Sequence, residues 1–197
     1  MEQDIQLVNY KYKDPMDLLQ DIERIGRVCY KSEHRITSSS AVPFVRNIIT
    51  KGHESVLEHI SITVRFVTDR AIANELVRHR IAAYSQESTR YCNYKDKIEF
   101  IYPKNVSDGQ LQLIMQACAY AEATYQALLA NGATPEIARD VLPLCTKTEL
   151  IATYNLREWR HILRLRTDKA AHPKVRELMQ TLLQFFQGLV PIIFDDI

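Results

Sequence analysis

The stretch HISITVRFVTDR, residues 59–70, carries the clearest secondary-structure signal in the chain. Four apolar side chains alternate in it with polar neighbours: Ile60, Ile62, Val64 and Phe66. A period of two predicts a β-strand that buries one face. Asp69 follows, and an aspartate at this point can cap a short helix that runs through Leu76 and Val77. The segment therefore predicts a strand that leads directly into a helix.

Helix signals surround this strand, and a second strand is predicted over ELIATY, residues 149–154. The other predicted helices begin at Asp14-Pro15, at about Pro43 (ending toward Gly52), at Ser107 or Asp108 (ending at Asn131-Gly132), at Thr134-Pro135, at Asn155 and at His172-Pro173. The long helix is expected to turn one apolar side inward, formed by Leu111, Met115, Cys118, Tyr125 and Leu128. Since there is no internal repeat and no linker, the pattern predicts a single compact, helix-rich α+β domain over residues 1–197.

Composition limits the kinds of function that the chain can have. A net charge of +1 over 197 residues argues against a general affinity for nucleic acid or an anionic membrane, so a basic site should be local. The five glycines are too widely spaced for a glycine-rich phosphate loop, which leaves arginine and hydroxyl side chains to hold any phosphate. The absence of C-x-x-C pairs and of apolar leader or membrane segments predicts a cytoplasmic protein in a reducing environment; the cysteines are Cys29, Cys92, Cys118 and Cys145.

The segment RHRIAAYSQESTRY, residues 78–91, concentrates cations and hydrogen-bond donors at the end of the predicted short helix. Arg78-His79-Arg80 is followed by what we expect to be a loop, with Ser85, Gln86, Ser88, Thr89 and Arg90 as donors. Two interpretations remain open at this point. The segment binds an anionic ligand through charge-assisted hydrogen bonds, or it is a solvated loop whose cations interact favourably with the helix dipole.

The segment NLREWRHILRLR, residues 155–166, predicts a helix with two distinct faces. Helical spacing places Arg166 on the apolar side, together with Trp159, Ile162 and Leu163. An arginine in that position must reach water or meet an anion, because burying it unpaired is costly. Three further side chains form a separate polar face: Arg157, His161 and Arg164. Arg166 is therefore a candidate ligand-binding residue, with a solvent-reaching helix end as the alternative.

The segment GHESVLEH, residues 52–59, contains histidines and glutamates but not the spacing of a zinc helix. Such a helix needs a second histidine four positions after His53, and that position is Leu57. We therefore predict no metal site. A covalent nucleophile is not predicted either, because Ser88 lacks a G-x-S-x-G elbow and Cys92 is more typical of a packing residue.

The triplet Arg78-His79-Arg80 is followed, after seven residues, by Ser88. This spacing resembles the signature of the flavin-dependent thymidylate synthases. GHESVLEH, EIARDVLP and YNLREWRHILRLR are similar to three other segments of that family and occur in the same order over residues 52–166. The resemblance implies a small, mainly antiparallel sheet and a homotetramer with active sites shared between subunits. It also implies a methyltransferase of de novo dTMP biosynthesis that converts dUMP to dTMP by reductive methylation. The carbon donor would be 5,10-methylenetetrahydrofolate, and the hydride would come from FAD reduced by NADPH.

The resemblance further implies roles for individual residues. The dUMP site would consist of Glu75, Leu76, Val77, Arg78, Gln86, Glu87, Ser88, Thr89, Arg90, Arg139 and Arg166. The FAD site would consist of Ser55, Arg78, His79, Arg80, Gln86, Asn155, Leu156, Arg157 and His161, with His53 near the flavin and the folate. Arg166 would be the catalytic residue, because a guanidinium that keeps its proton can stabilise negative charge at N3 of the uracil.

Two rival hypotheses remain at this stage. A relative that kept the fold but lost the chemistry is disfavoured, because both Arg166 and the R-H-R triplet are present. An RNA-binding module built on the arginine-rich helix is disfavoured by the near-neutral charge and by the lack of an RNA-binding motif. The chain also departs from the commonest family pattern: Glu75 stands where many members have glutamine, and Ala170 where many have histidine. We assign no role to the nearby His172.

Overall fold

A computed structural model describes residues 1–197. In chain order, the helices and strands are β1 (Asp4–Asn9), α1 (Pro15–Val28), α2 (Ala41–Thr50), β2 (Ser61–Asp69), α3 (Arg70–Leu76), β3 (Ala83–Gln86), α4 (Asp108–Ala130), α5 (Pro135–Ala138), β4 (Lys147–Asn155), α6 (Leu156–Thr167), α7 (Pro173–Leu189) and α8 (Pro191–Phe194). Short 3-10 turns occur at Glu33–Arg35, Glu54–His59 and Arg139–Val141. This mixture of many helices and one small sheet confirms the α+β class. None of the helices combines the length and the apolar composition needed to cross a bilayer.

The strands form one antiparallel four-stranded sheet in the order β1-β2-β4-β3. The alternating segment of residues 59–70 supplies β2, and ELIATY lies within β4, so both predicted strands are confirmed. β1 and β3 were not predicted from the sequence. Their side chains alternate only between exposed and half-buried, so neither strand has the buried apolar face from which a strand can be predicted. The expectation that residues after Arg80 form only a loop is therefore wrong at Ala83–Gln86.

Local capping explains where several helices begin. Four residues each accept a hydrogen bond from a backbone N–H of the first turn, as the sequence predicts: Asp14 for α1, Asp69 for α3, Ser107 for α4 and Asn155 for α6. At α4 the Gln110 side chain also accepts from the Ser107 N–H, which completes a capping box. These starts depend on neighbouring residues alone, which is why the sequence shows them.

The chain divides into two compact units, which are described separately. The first unit contains residues 1–6, 65–80 and 84–152. The second unit contains residues 7–64, 81–83 and 153–197. The assignment of residues 1–197 to a single domain stays a prediction.

The core of the first unit lies along α4. Its buried members are Ile98, Phe100, Cys118, Tyr125 and Ala138. Of the inward-facing residues predicted on α4, Cys118 and Tyr125 are buried, Leu111 and Leu128 are half-buried, and Met115 is 47% exposed. The prediction was wrong for Met115 because the neighbouring Ile114 packs against the cluster instead, which turns Met115 toward solvent.

The core of the second unit is built around Trp159 of α6. Its ring meets Tyr154 and Phe186 edge-on, at centroid distances of 4.5 and 5.3 Å. The indole Nε1 donates a hydrogen bond to the Ile62 carbonyl at 3.1 Å, so the buried N–H has a partner. Phe194 continues the aromatic contacts from Phe186, with the ring centroids 5.0 Å apart. These contacts hold α6 against α7 and α8.

Helices α1 and α2 approach each other closely at Gly26. A Cβ at this position would lie 2.6 Å from Cζ of Phe44, which is closer than side-chain atoms pack in proteins. The Phe44 ring in turn lies 4.7 Å from the Arg27 guanidinium. Helix packing, and not an unusual backbone conformation, therefore favours glycine at position 26.

Candidate functional site

The R-H-R triplet follows directly on the last turn of α3. Arg78 and Arg80 are exposed, whereas His79 is buried. The Tyr84 hydroxyl lies 2.8 Å from the Leu76 carbonyl oxygen and 2.5 Å from that of His79 and donates to them. Tyr84 thus satisfies carbonyl groups that the helix end leaves open, and the chain after the triplet folds back along α3. The two arginines are left pointing to solvent, where they are accessible to a ligand.

Among the predicted nucleotide ligands of residues 86–90, Glu87 is held by several partners within the protein. Glu87 Oε1 accepts a hydrogen bond from the Tyr94 hydroxyl at 2.7 Å, and Oε2 accepts one from the Glu149 N–H at 3.1 Å. Lys147 Nζ lies 3.6 Å from the same carboxylate. Burial and the hydrogen bond to Glu87 raise the pKa of Tyr94 above its ordinary value, so the phenol stays protonated and continues to donate. The Glu87 carboxylate is therefore already bound within the protein.

The end of this segment meets Arg139. Thr89 is buried, and its hydroxyl accepts a hydrogen bond from Arg139 Nη1 at 3.4 Å. Arg90 is half-exposed and forms an ion pair with Glu136 at 2.7 Å. Since an exposed ion pair contributes little, Arg90 can exchange this partner for a ligand at small cost. The structure thus brings together two predicted dUMP ligands that are 50 residues apart in sequence.

The remaining members of the predicted dUMP group are less exposed to solvent. Gln86 Nε2 donates to Thr148 Oγ1 at 3.3 Å, and the Ser88 hydroxyl accepts from the Arg90 N–H at 3.3 Å. At the end of α3, Glu75 and Val77 are half-buried and Leu76 is fully buried, which leaves its backbone as the group that could touch a ligand. All of the predicted dUMP ligands except Arg166 belong to the first unit.

The predicted FAD ligands on α6 lie at the start of that helix, in the second unit. Asn155 Oδ1 accepts a hydrogen bond from the Glu158 N–H at 2.8 Å, which confirms the predicted cap. Arg157 and His161 are exposed on the following turn, whereas the Leu156 side chain is buried in the core. Asn155, Arg157 and His161 line one cavity of about 530 Å³, together with Glu54, Glu58, Ile81, Glu158 and Arg164.

A larger cavity of about 720 Å³ is also lined by residues of the Glu54–His59 turn. Its wall includes the predicted ligands His53, Ser55 and Arg157. The rest of the lining is rich in basic residues, namely Arg27, His34, Arg35 and Lys51. Glu54 and Arg157 line both cavities, so they form the wall that the two share. Arg157 is held there by an ion pair with Glu58.

Arg166 lies in the last turn of α6. Trp159, Ile162 and Leu163, which share the apolar side of α6 with Arg166, are fully buried, as predicted. Arg166 itself is only half-buried. The arginine therefore leaves the apolar stripe at the helix end, where its side chain is half-buried.

Sequence reasoning missed the most deeply buried cation of the molecule, Arg160. It is 0% exposed and contacts Glu54, Asp196 and the Ile193 carbonyl. Burial acts to lower its pKa, but the hydrogen bond to Asp196 and the charge of Glu54 outweigh burial and raise the pKa. A signal was present, since Leu156, Trp159, Arg160 and Leu163 follow the i, i+3, i+4, i+7 spacing of a buried helix face.

Comparison with known proteins shows the family to which the chain belongs. The family model described as "Thymidylate synthase complementing protein" matches residues 7–192. The flavin-dependent thymidylate synthase of Geobacter sulfurreducens is 38% identical over 184 residues, which cover 87% of this chain and 78% of that protein. Those of Mycobacterium bovis and Mycobacterium tuberculosis are 34% identical over 195 residues, which cover 89% of this chain and 78% of theirs. From the match over nearly its whole length, we conclude that the chain belongs to the family of flavin-dependent thymidylate synthases.

Proposed function

We propose that the chain catalyses the reductive methylation of dUMP to dTMP, with 5,10-methylenetetrahydrofolate as carbon donor and FAD as redox cofactor. The observation that carries this proposal is the family match over residues 7–192, which includes all of the predicted site residues. The relatives at 34–38% identity bear the name of this enzyme. NADPH is proposed as the reductant of the flavin, and the cytoplasm as the location.

The residues of the second unit fit a flavin dinucleotide. FAD carries a pyrophosphate, and proteins hold phosphates with arginine and hydroxyl donors where no glycine loop is available. The two cavities of about 530 and 720 Å³ share Arg157, and their walls contain Ser55 and Asn155 as further hydrogen-bonding groups. We assign Ser55, Asn155, Arg157 and His161 to FAD, with the backbone of Leu156 beside them and His53 near the flavin and folate. When bound, FAD would supply the hydride that completes the methyl group.

The first unit supplies the predicted nucleotide ligands. Arg139, Arg90 and the Ser88 hydroxyl are donors suited to the phosphate of dUMP, since arginine binds phosphate through paired charge-assisted hydrogen bonds. The Thr89 hydroxyl fixes one end of Arg139. Arg78, His79, Arg80, Gln86 and the backbone of residues 75–77 are assigned as in the family.

Arg166 is proposed as the catalytic residue. A guanidinium keeps its proton at neutral pH, so it can stabilise the negative charge that develops at N3 of the uracil when the ring is activated. This role needs no covalent nucleophile, so none is assigned to Ser88 or Cys92. Shared active sites in a homotetramer are part of the same proposal, and sedimentation analysis of the purified protein measures that assembly directly.

The first experiment is a visible absorption spectrum of the purified protein, loaded with FAD and freed of excess, before and after addition of dUMP. We expect a retained flavin spectrum that dUMP perturbs, and dTMP formation once methylenetetrahydrofolate and NADPH are added. A protein that retains no flavin and does not bind dUMP in a separate titration would contradict the proposal.

A further inference from the structure

Arg160, Glu54 and Asp196 form an ionic network beneath the proposed FAD site. Arg160 Nε donates to Glu54 Oε1 at 3.0 Å, while Nη1 and Nη2 donate to the two oxygens of Asp196, each at 2.7 Å. Arg160 is fully buried, and Nη1 also donates to the Ile193 carbonyl. A guanidinium keeps its charge even when buried, so its complete burial is tolerated only because its partners satisfy it. The network has no role in the assignments made above.

Asp196 determines how the Arg160 guanidinium is oriented. A carboxylate that binds both terminal nitrogens fixes the plane of the group, because the two parallel hydrogen bonds allow little rotation. In this plane the remaining nitrogen, Nε, points at Glu54. Arg164 supports the arrangement, with Nη2 2.8 Å from Asp196 and Nη1 3.7 Å from Glu54.

Glu54 connects this network to the two cavities. It lines both of them and lies in sequence between His53 and Ser55, which we assign to the folate and flavin site. An acidic side chain in the wall of a site for a phosphorylated ligand repels that ligand unless cations neutralise it. Arg160 and Arg164 supply that neutralisation, and the hydrogen bond from Arg160 fixes where the carboxylate lies.

We propose that Arg160 is a positioning residue of the FAD site, oriented by Asp196 and acting through Glu54. This inference rests on the proposed function. Asp196 holds the guanidinium in place, the guanidinium holds Glu54, and Glu54 fixes the turn that presents His53 and Ser55. Arg160 touches neither flavin nor nucleotide in this proposal, so it affects FAD binding by fixing the shape of the cavity wall that Glu54 lines.

An effect of net charge and an effect of geometry predict opposite changes in FAD affinity when Asp196 is replaced. If only charge mattered, replacing Asp196 by a neutral residue would make the site more positive and bind FAD more tightly. If Asp196 acts by orienting Arg160, the same replacement releases Glu54 and weakens FAD binding. The direction of the change in affinity therefore distinguishes a positioning role from an electrostatic background effect.

The test compares Asp196→Asn with Asp195→Asn in the full chain. Asp195 is the adjacent exposed aspartate, and its side chain makes no hydrogen bond or ion pair. We expect Asp196→Asn to raise the Kd for FAD, measured by flavin fluorescence quenching, by roughly tenfold. Asp195→Asn should stay within about twofold of the wild type, and Asp196→Glu, which keeps the charge, should recover part of the loss. An unchanged or lower Kd for Asp196→Asn would overturn the inference.

A second measurement does not depend on FAD. In the protein without ligand, we expect hydrogen–deuterium exchange at the amides of residues 54–59 to be about tenfold faster in Asp196→Asn, with exchange in α1 unchanged as a check on the fold. Equal exchange at 54–59 in both proteins would overturn the positioning role. If the wild type itself binds no FAD, the proposed function fails and this inference fails with it. If the wild type binds FAD and Asp196→Asn binds it with the same Kd, only this inference fails.

Discussion

The Tyr94 hydroxyl donates to Glu87 Oε1 over 2.7 Å and so anchors the segment that carries the predicted nucleotide ligands. The same carboxylate accepts from the backbone of Glu149 and lies close to Lys147. A side chain engaged in this way is better suited to hold its neighbours, Gln86 and Ser88, than to contact a phosphorylated ligand itself. Its direct contact with dUMP stays a prediction from the family resemblance.

Removing the Tyr94 hydroxyl should therefore loosen this segment. We expect Tyr94→Phe to lower the free energy of unfolding by about 1–2 kcal/mol, because the half-buried carboxylate of Glu87 loses the hydrogen bond that Tyr94 donates. The KM for dUMP should rise as well. Urea denaturation and steady-state kinetics measure the two effects, and Tyr91→Phe, at a ring that is 79% exposed, is the matched control. Equal effects of the two substitutions would count against the anchoring role of Tyr94.

Glu149 should make stability depend on acid pH. Hydrogen bonds from Lys147 and then from Arg65 outweigh burial and hold the pKa of Glu149 below its ordinary value of 4.5. A group with a lowered folded pKa stabilises the protein fully above its unfolded pKa, and this stabilisation disappears as the pH falls through 4.5 toward the folded value. The stability of the wild type should thus fall more steeply than that of Glu149→Gln below about pH 4.5.

Urea midpoints measured between neutral and acid pH test this expectation. Glu33→Gln is the control, because Glu33 is exposed and its side chain has no hydrogen-bond or ion-pair partner. Parallel pH curves for the wild type and Glu149→Gln would show that the ion pairs with Lys147 and Arg65 do not affect folding.

Arg166→Ala should separate binding from chemistry. We expect this variant to retain FAD, because Arg166 is assigned to uracil activation and not to the flavin, but to form no measurable dTMP. Single-turnover assays of dTMP and flavin absorbance after desalting give the two readings. Arg46→Ala, at an exposed arginine of α2 that makes no ion pair, should behave as the wild type. Normal turnover by Arg166→Ala would remove it from the catalytic assignment.

Two glycines should respond in opposite ways to alanine. At Gly26 the new Cβ would meet the Phe44 ring at 2.6 Å, so Gly26→Ala should destabilise the protein by about 1–2 kcal/mol despite the better helix propensity of alanine. At Gly188, in α7, a Cβ would meet nothing within 4 Å, and Gly188→Ala should stabilise by up to about 1 kcal/mol. Thermal unfolding of both variants provides the comparison, and a stabilised Gly26→Ala would show that Phe44 moves aside.

The features predicted correctly from the sequence are the local ones. The caps at Asp14 and Asn155 need only residues two or three positions away, and the alternation in β2 lies within one segment. Helical spacing could have placed Arg160 on the buried face of α6, but its partner Asp196 lies 36 residues away, and an ion pair across that separation leaves no local signal. The site residues were assigned by family resemblance, which depends on the motif in residues 78–91. The chemistry of those residues alone did not decide between an anion site and a solvated loop.

The pairing of Arg160 with Asp196 has a consequence for how the protein is made. Synthesis proceeds from the N-terminus at about 5–20 residues per second, so α6 leaves the ribosome seconds before residue 196 is available. During that interval the Arg160 guanidinium lacks the carboxylate that binds both of its terminal nitrogens. Until then, the part of α6 that carries Arg160 must stay hydrated. The core of the second unit can pack fully only once Asp196 is available. A chain that stops before residue 196 should therefore be cleaved by protease faster than the full chain.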